Sequence, residues 1–330
     1  MTRRLIRLAI LATTLSTASP AATADAPGIP GIRHPVADLH PAATLKLGKT
    51  ADWVDITPDS VWVGATSPNS VTRIDPRTNR KVATVELPGE PCAGLVSGFG
   101  ALWIPLCGAK PGLARVDMKT NRLDRVIPLG VKAEGGVTAS GDSLWLVVDD
   151  AGTLVRLDPE TGSVRQRIKI APGSHNPLYA QGVVWITDVA GAQITAVDAA
   201  TGKVLGETPT GPNPRFLTTG SGALWTLNQG DGTLTRIDAR TRKPVATIAL
   251  GTPGHGGDIA WGGGRIWTTL SGVPLSETDP RRNRPVRQWT GSGGDSLKVG
   301  FGAVWLTDYK GGTVARLALR GLGRPASRPR

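Results

Sequence analysis

His175 and His255 stand in stretches that lead into two short apolar segments, and Asp188 and Asp308 stand three residues beyond Trp185 and Trp305. An imidazole can exchange protons near neutral pH. Carboxylates hold hard divalent cations through oxygens at about 2.0–2.6 Å. On this reading His175 and His255 are acid–base candidates, and Asp188 and Asp308 are ligands for a divalent metal, Mg or Ca. Trp53, Glu134, Asn176, Asn213, Arg215, Asn228, Asp258 and Asp295 occupy the same two kinds of position and are candidates for ligand binding. The competing reading is structural, because solvated loops carry polar residues whether or not they bind anything. No Gly-x-Ser-x-Gly elbow and no cysteine or serine triad pattern accompanies these residues, so covalent catalysis is not indicated.

These positions become equivalent because the chain repeats. Trp62, Trp103, Trp145, Trp185, Trp225, Trp267 and Trp305 recur at about 40 residues, the spacing of a repeat architecture. Each unit holds four short apolar runs bounded by Gly, Asn, Asp and Pro, which are strand and hairpin signals. A second phrase follows each Trp, as in Arg73-Ile74-Asp75-Pro76-Arg77-Thr78-Asn79 and Arg156-Leu157-Asp158-Pro159-Glu160-Thr161-Gly162. Its Asp can accept bonds from backbone amides two residues on, while Asn or Gly tolerates the positive φ of a tight hairpin. The expected fold is all-β, a seven-bladed β-propeller of four-stranded antiparallel blades. The last unit stops after its third strand. The missing fourth stands upstream as Ala42-Ala43-Thr44-Leu45-Lys46-Leu47-Gly48, so the N-terminal strand is expected to close the ring. The repeat tryptophans are read as inter-blade packing. Trp53, Trp261 and Trp289 fall outside the repeat position, and Trp53 could line the channel mouth. That mouth, where first strands enter and second strands leave, would gather the candidate residues and bind a small molecule or protein.

The ends carry different signals. Residues 1–24 read as an export signal: Arg3 and Arg4, an apolar stretch too short to span a bilayer, then Ala22-Thr23-Ala24. The early arginines fit a Sec signal, with twin-arginine export as the alternative. A periplasmic or secreted location follows. Residues 25–41 read as a linker, 42–320 as the propeller and 321–330 as a basic disordered tail. The net charge is +12. Its basic residues concentrate on outer strands and hairpins, a solvated rim or a surface for an anionic partner. Without basic–aromatic interleaving, nucleic acid is not expected. Cys92 and Cys107 lie equidistant from the turn at Phe99-Gly100, which faces them across one hairpin, and an exported chain permits the disulfide.

The phrases Val61-Trp62-Val63 and Val71-Thr72-Arg73-Ile74-Asp75-Pro76-Arg77-Thr78-Asn79-Arg80-Lys81-Val82 resemble the YVTN-type propeller repeat, and equally the streptogramin B (virginiamycin B) lyase-like propellers. The likeness spans residues 42–319. The lyase resemblance implies metal-assisted proton abstraction from a cyclic depsipeptide. Those lyases carry Leu-Trp-Phe-Thr-Glu and Pro-His-Gly phrases. Here Trp185-Ile186-Thr187-Asp188 and Trp305-Leu306-Thr307-Asp308 carry Asp instead, and Ser174-His175-Asn176-Pro177 and Gly254-His255-Gly256-Gly257 are near matches only. Ala196-Val197-Asp198-Ala199-Ala200-Thr201-Gly202 also resembles the docking repeat of quinoprotein dehydrogenases, with Gly206 where the docking Trp would stand. The first expectation is an exported, non-catalytic binding module; the alternative is a lyase-like enzyme.

Overall fold

A computed structural model of the chain describes residues 26–322. The proposed signal peptide and residues 323–330 of the tail lie outside the described residues. Seven sheets follow one another, each built on four antiparallel strands from about 40 residues. Blade 1 is typical, with strands Thr50–Ile56, Val61–Thr66, Ser70–Asp75 and Arg80–Glu86. The Asp phrase behaves as expected at its hairpin. Asp75 accepts the Arg77 N–H at 2.8 Å, and Asn79 takes φ +56°. The matching position in blade 5 is Arg242 at φ +56°, a residue with no special tolerance for that region. Ala43–Lys46 pairs with Thr313–Ala318, so the N-terminal strand completes blade 7 and closes the ring.

One unit recurs from blade to blade. The second-strand Trp is fully buried, and in blades 2, 5 and 6 its indole N–H donates to the carbonyl of Gly98, Gly220 or Gly262 on the first strand, at 2.9–3.0 Å. In five blades an arginine from the third strand lies over the ring, 5.3–5.9 Å from its centroid. Cation–π attraction of this kind contributes roughly 0.5–2 kcal/mol. In three of these blades the same guanidinium reaches the next blade: Arg73 donates to the Met118 carbonyl, Arg156 to Ala200 and Arg236 to Pro280. Blades 4 and 6 depart, with Ala196 and Glu277 in the arginine's place; Glu277 there pairs with Arg265 and Arg287. Much of the basic rim is therefore internal scaffolding rather than free charge.

The three unplaced tryptophans also find work. A Cβ at Gly220 would sit 2.2 Å from the Trp261 ring, so that glycine exists to admit the neighbouring blade. Trp289 is fully buried beneath a segment expected to be a linker. Arg33–Pro35 instead adds a fifth, parallel strand to blade 6, pairing with Gln288–Thr290. Gln288 holds it from inside: its Oε1 accepts the Ile29 N–H at 2.7 Å, and its Nε2 donates to the Leu250 carbonyl at 2.8 Å. His34 leans on Trp289, ring centroids 6.0 Å apart. Apolar shielding of Trp289 explains why a Pro- and Gly-rich stretch is fixed there.

Cys92 and Cys107 are bonded, with Cα atoms 5.7 Å apart. The simple facing argument is only half of the reason. Val96 pairs with Trp103, but Glu90 pairs with Cys107, so the register slips by two residues in between. The Cys92 N–H donates to Pro105, and the disulfide spans the slip diagonally.

Two outcomes check this packing. Gly220→Ala is expected to destabilise the fold by about 1–3 kcal/mol through overpacking, whereas Gly222→Ala, which meets no atom within 4 Å but sits at φ +73°, should lose less. Equal losses in chemical denaturation would contradict the inter-blade role. Deleting residues 26–38 should lower the melting temperature by several degrees by uncovering Trp289; an unchanged melting point would show that the fifth strand contributes nothing.

Candidate functional site

Every first strand stands in the same register with its repeat Trp. The residues nine before those tryptophans therefore form one ring in the channel: Trp53, Gly94, Gly136, Asn176, Phe216, Asp258 and Ser296. Blades 1 and 5 supply aromatics that meet across the axis, with centroids 6.1 Å apart and planes tilted by 52°. Their contact divides the channel into an outer mouth and an inner cavity. Trp53 adopts φ +58°, an outlier for a bulky residue, and its N–H donates to the Asp52 carboxylate at 2.6 Å. Glu134 and Asn213 enter blades 3 and 5 at φ +57° and +54°. Such strain, repeated around one opening, marks the place where the outer loops are bent into the channel.

The mouth is electrostatically divided. Asp52, Asp258 and Asp295 come from blades 1, 6 and 7, with Glu134 facing them from blade 3. Burial, then the neighbouring Asp258, pushes Asp295 up to about 6. Burial and the charge of Asp295 raise Asp52 well above the usual carboxylate range, while burial raises Glu134 against the pull of Arg215. Asp258 is held by the Ile259 N–H and the Ser296 hydroxyl at 2.7 and 2.9 Å. On the other side, Arg215 Nη1 lies 3.3 Å from His175 Nε2, and Lys132 pairs with Asp150. Above Asp295 an open cleft of about 640 Å³ runs between blades 6 and 7. His255, Asp308 and Tyr309 line it with a glycine-rich backbone, and Tyr309 is 43% exposed.

Several sequence expectations change at this level. His175 is a weak base. Burial, followed by the charges of Arg215 and Lys132, lowers it to about 3, and its Nδ1 is buried without a partner. It is a neutral ring wedged beside a guanidinium. Asp188, only 2% exposed, accepts the Gly191 N–H at 2.9 Å and the Gln193 amide at 3.0 Å, so its carboxylate closes its own hairpin. Asp308 accepts the Gly311 N–H at 3.0 Å in the same way. The two aspartates are therefore turn caps on separate blades and are not brought together as ligands. Among the described residues, no three His, Cys, Asp or Glu side chains are grouped to hold a metal ion. Asn228 is fully buried and bonded to Thr226, Thr233 and Thr235, behind the mouth rather than in it. Asn176 bridges blades, donating to the carbonyls of Glu134 and Arg215 at 3.0 and 2.9 Å. Trp53, Glu134, Arg215, Asp258 and Asp295 do converge at the mouth, joined by Asp52, Lys132 and Tyr309. Asp52 had a legible signal: it stands ten before Trp62, the register of His175, Arg215 and Asp295.

The raised carboxylates have a signed consequence. The folded chain keeps the Asp295 proton up to about pH 6, whereas the unfolded chain releases it near 3.8, so ionisation weakens the fold as pH rises through that window. His175 acts oppositely, weakening the fold as pH falls from 6.5 towards 3. The wild-type profile therefore mixes two slopes. Asp295→Asn should gain melting temperature over wild type more at about pH 7.5 than at about pH 4.5; a pH-independent difference would remove Asp295 from the cluster.

The chain matches the family described as outer membrane protein assembly factor BamB over residues 67–263. Among solved structures, BamB from Moraxella catarrhalis is 16% identical and covers 86% of this chain and 90% of its own, with a TM-score of 0.59. That identity speaks for the fold alone. No curated protein matches the chain.

Proposed function

The chain belongs to the family of outer membrane protein assembly factor BamB, and from that premise we propose that it is an exported, non-catalytic binding propeller whose partner is a protein docking on the channel mouth. The observation that carries this reading is the pairing of a wide polar mouth with a channel narrowed just beneath it. Trp53 and Phe216 approach each other across the channel, ring centroids 6.1 Å apart, and narrow it, which favours a partner that reads the face over one that threads the ring. The face offers what protein recognition uses: exposed Tyr309, opposed acidic and basic sides, and an open cleft between blades 6 and 7. Export agrees with the disulfide and with the signal-like residues 1–24. Among the described residues no helix is long and apolar enough to cross a membrane.

The lyase-like alternative needs an imidazole able to take a proton beside a bound metal. Burial and the neighbouring Arg215 guanidinium make His175 a weak base, His255 lies out in the cleft, and Asp188 is spent on its hairpin. The geometry therefore favours binding.

A photo-crosslinking amino acid at Tyr309, in the exported protein, should yield discrete protein adducts that weaken when Arg215→Glu is added. The same probe at Arg77, 90% exposed on the opposite face, should yield none. Adducts only from Arg77, or none from Tyr309, would move the docking face elsewhere.

A further inference from the structure

Beneath the Trp53–Phe216 contact lies an inner cavity of about 190 Å³, room for about six waters at the ~30 Å³ each takes in the liquid. Its polar groups are built rather than incidental. Asn176 is 8% exposed, and its Nδ2 hydrogens are spent on the Glu134 and Arg215 carbonyls. Its Oδ1 accepts no hydrogen bond and borders the cavity. Gly136 keeps that oxygen clear, since a Cβ there would fall 2.8 Å from it. The Thr138 hydroxyl accepts the Tyr179 N–H at 3.0 Å and has its own hydrogen to give. Asp55 accepts the Ser97 N–H at 2.8 Å, and its carboxylate lines the cavity. The Lys298 ammonium, 3.7 Å from Asp258, completes the lining with 39% of its side chain exposed, so the cavity is reachable from the far end of the channel.

This mixture selects a ligand class. A cation would meet Lys298, and an anion would meet Asp55 and Asp258. Hydroxyl groups both donate and accept, which matches a spare amide oxygen, a carboxylate, a hydroxyl and an ammonium at once. The roof is aromatic, as suits a ring with one apolar face. We propose that the inner channel cavity binds a small uncharged polyol, the size of a single six-membered sugar or cyclitol ring, independently of the partner at the mouth.

The test is calorimetric titration of the purified exported protein with D-glucose and with myo-inositol, alongside tetramethylammonium and sulfate. One of the two polyols should bind with Kd on the order of 1 mM, the scale for about a dozen non-hydrogen atoms at ordinary ligand efficiency. Which of them binds separates sugar from cyclitol. Thr138→Val and Lys298→Met, each checked for an intact melting transition, should weaken it about three- to tenfold. Tyr309→Ala, at the mouth, should leave it unchanged, so failure of the mouth reading and failure of this one are distinguishable. Binding of neither polyol, preference for tetramethylammonium or sulfate, or affinity untouched by both cavity variants would overturn the proposal.

Discussion

The stack of a second-strand tryptophan, a third-strand arginine and the next blade's hairpin carbonyl is the interaction on which the ring depends. Each part solves a problem set by the others. The first-strand glycine carbonyl accepts the buried indole N–H in blades 2, 5 and 6, whereas the indoles of Trp62, Trp185 and Trp305 are buried without a partner. That glycine must lack a side chain because the adjacent blade presses against it. The arginine covers the ring and satisfies a carbonyl that belongs to its neighbour. A charged residue held between an aromatic face and a backbone oxygen loses little of what water gave it, so burial is tolerated. The outcome is a ring in which the chain's positive charge is partly structural, and a net charge of +12 overstates the charge free for partners.

The channel depends on the same registration. Because each first strand is locked at a fixed distance from its tryptophan, single positions become rings, and the character of a ring is decided by a few departures from small residues. Two large aromatics are enough to narrow the bore. Carboxylates gathered from three neighbouring blades, with burial, are enough to raise Asp52 and Asp295 above the usual carboxylate range. Neither effect requires a loop insertion; both are substitutions in a repeated frame.

Most of the fold was legible in the sequence because the repeat is a periodic signal, and periodicity survives divergence. The seven tryptophans, the Asp hairpins and the displaced final strand all fell where the spacing put them. The site was less legible for a physical reason. Whether a polar side chain faces the mouth or turns back into its own hairpin depends on one or two torsions, to which composition is blind. Asp188 and Asp295 are both aspartates at positions expected around the mouth, yet one closes a turn and the other faces carboxylates. Aligning residues by register rather than by chemical type recovers Asp52 and Phe216. The ordering of residues 33–38 had no signal of that kind, since what holds them is a shielded Trp289 some 250 residues away.

The way the ring is closed carries a temporal consequence. The segments that cover blade 6 and complete blade 7 belong to the start of the chain, while their partners lie at its end. Synthesis delivers the two ends at different moments. The early strand must therefore remain unengaged until the last blade arrives, and chain termination short of Thr313 leaves it without a counterpart. A chain cut short before Thr313 would therefore keep an unpaired strand edge at the seam, the kind of edge that invites aggregation.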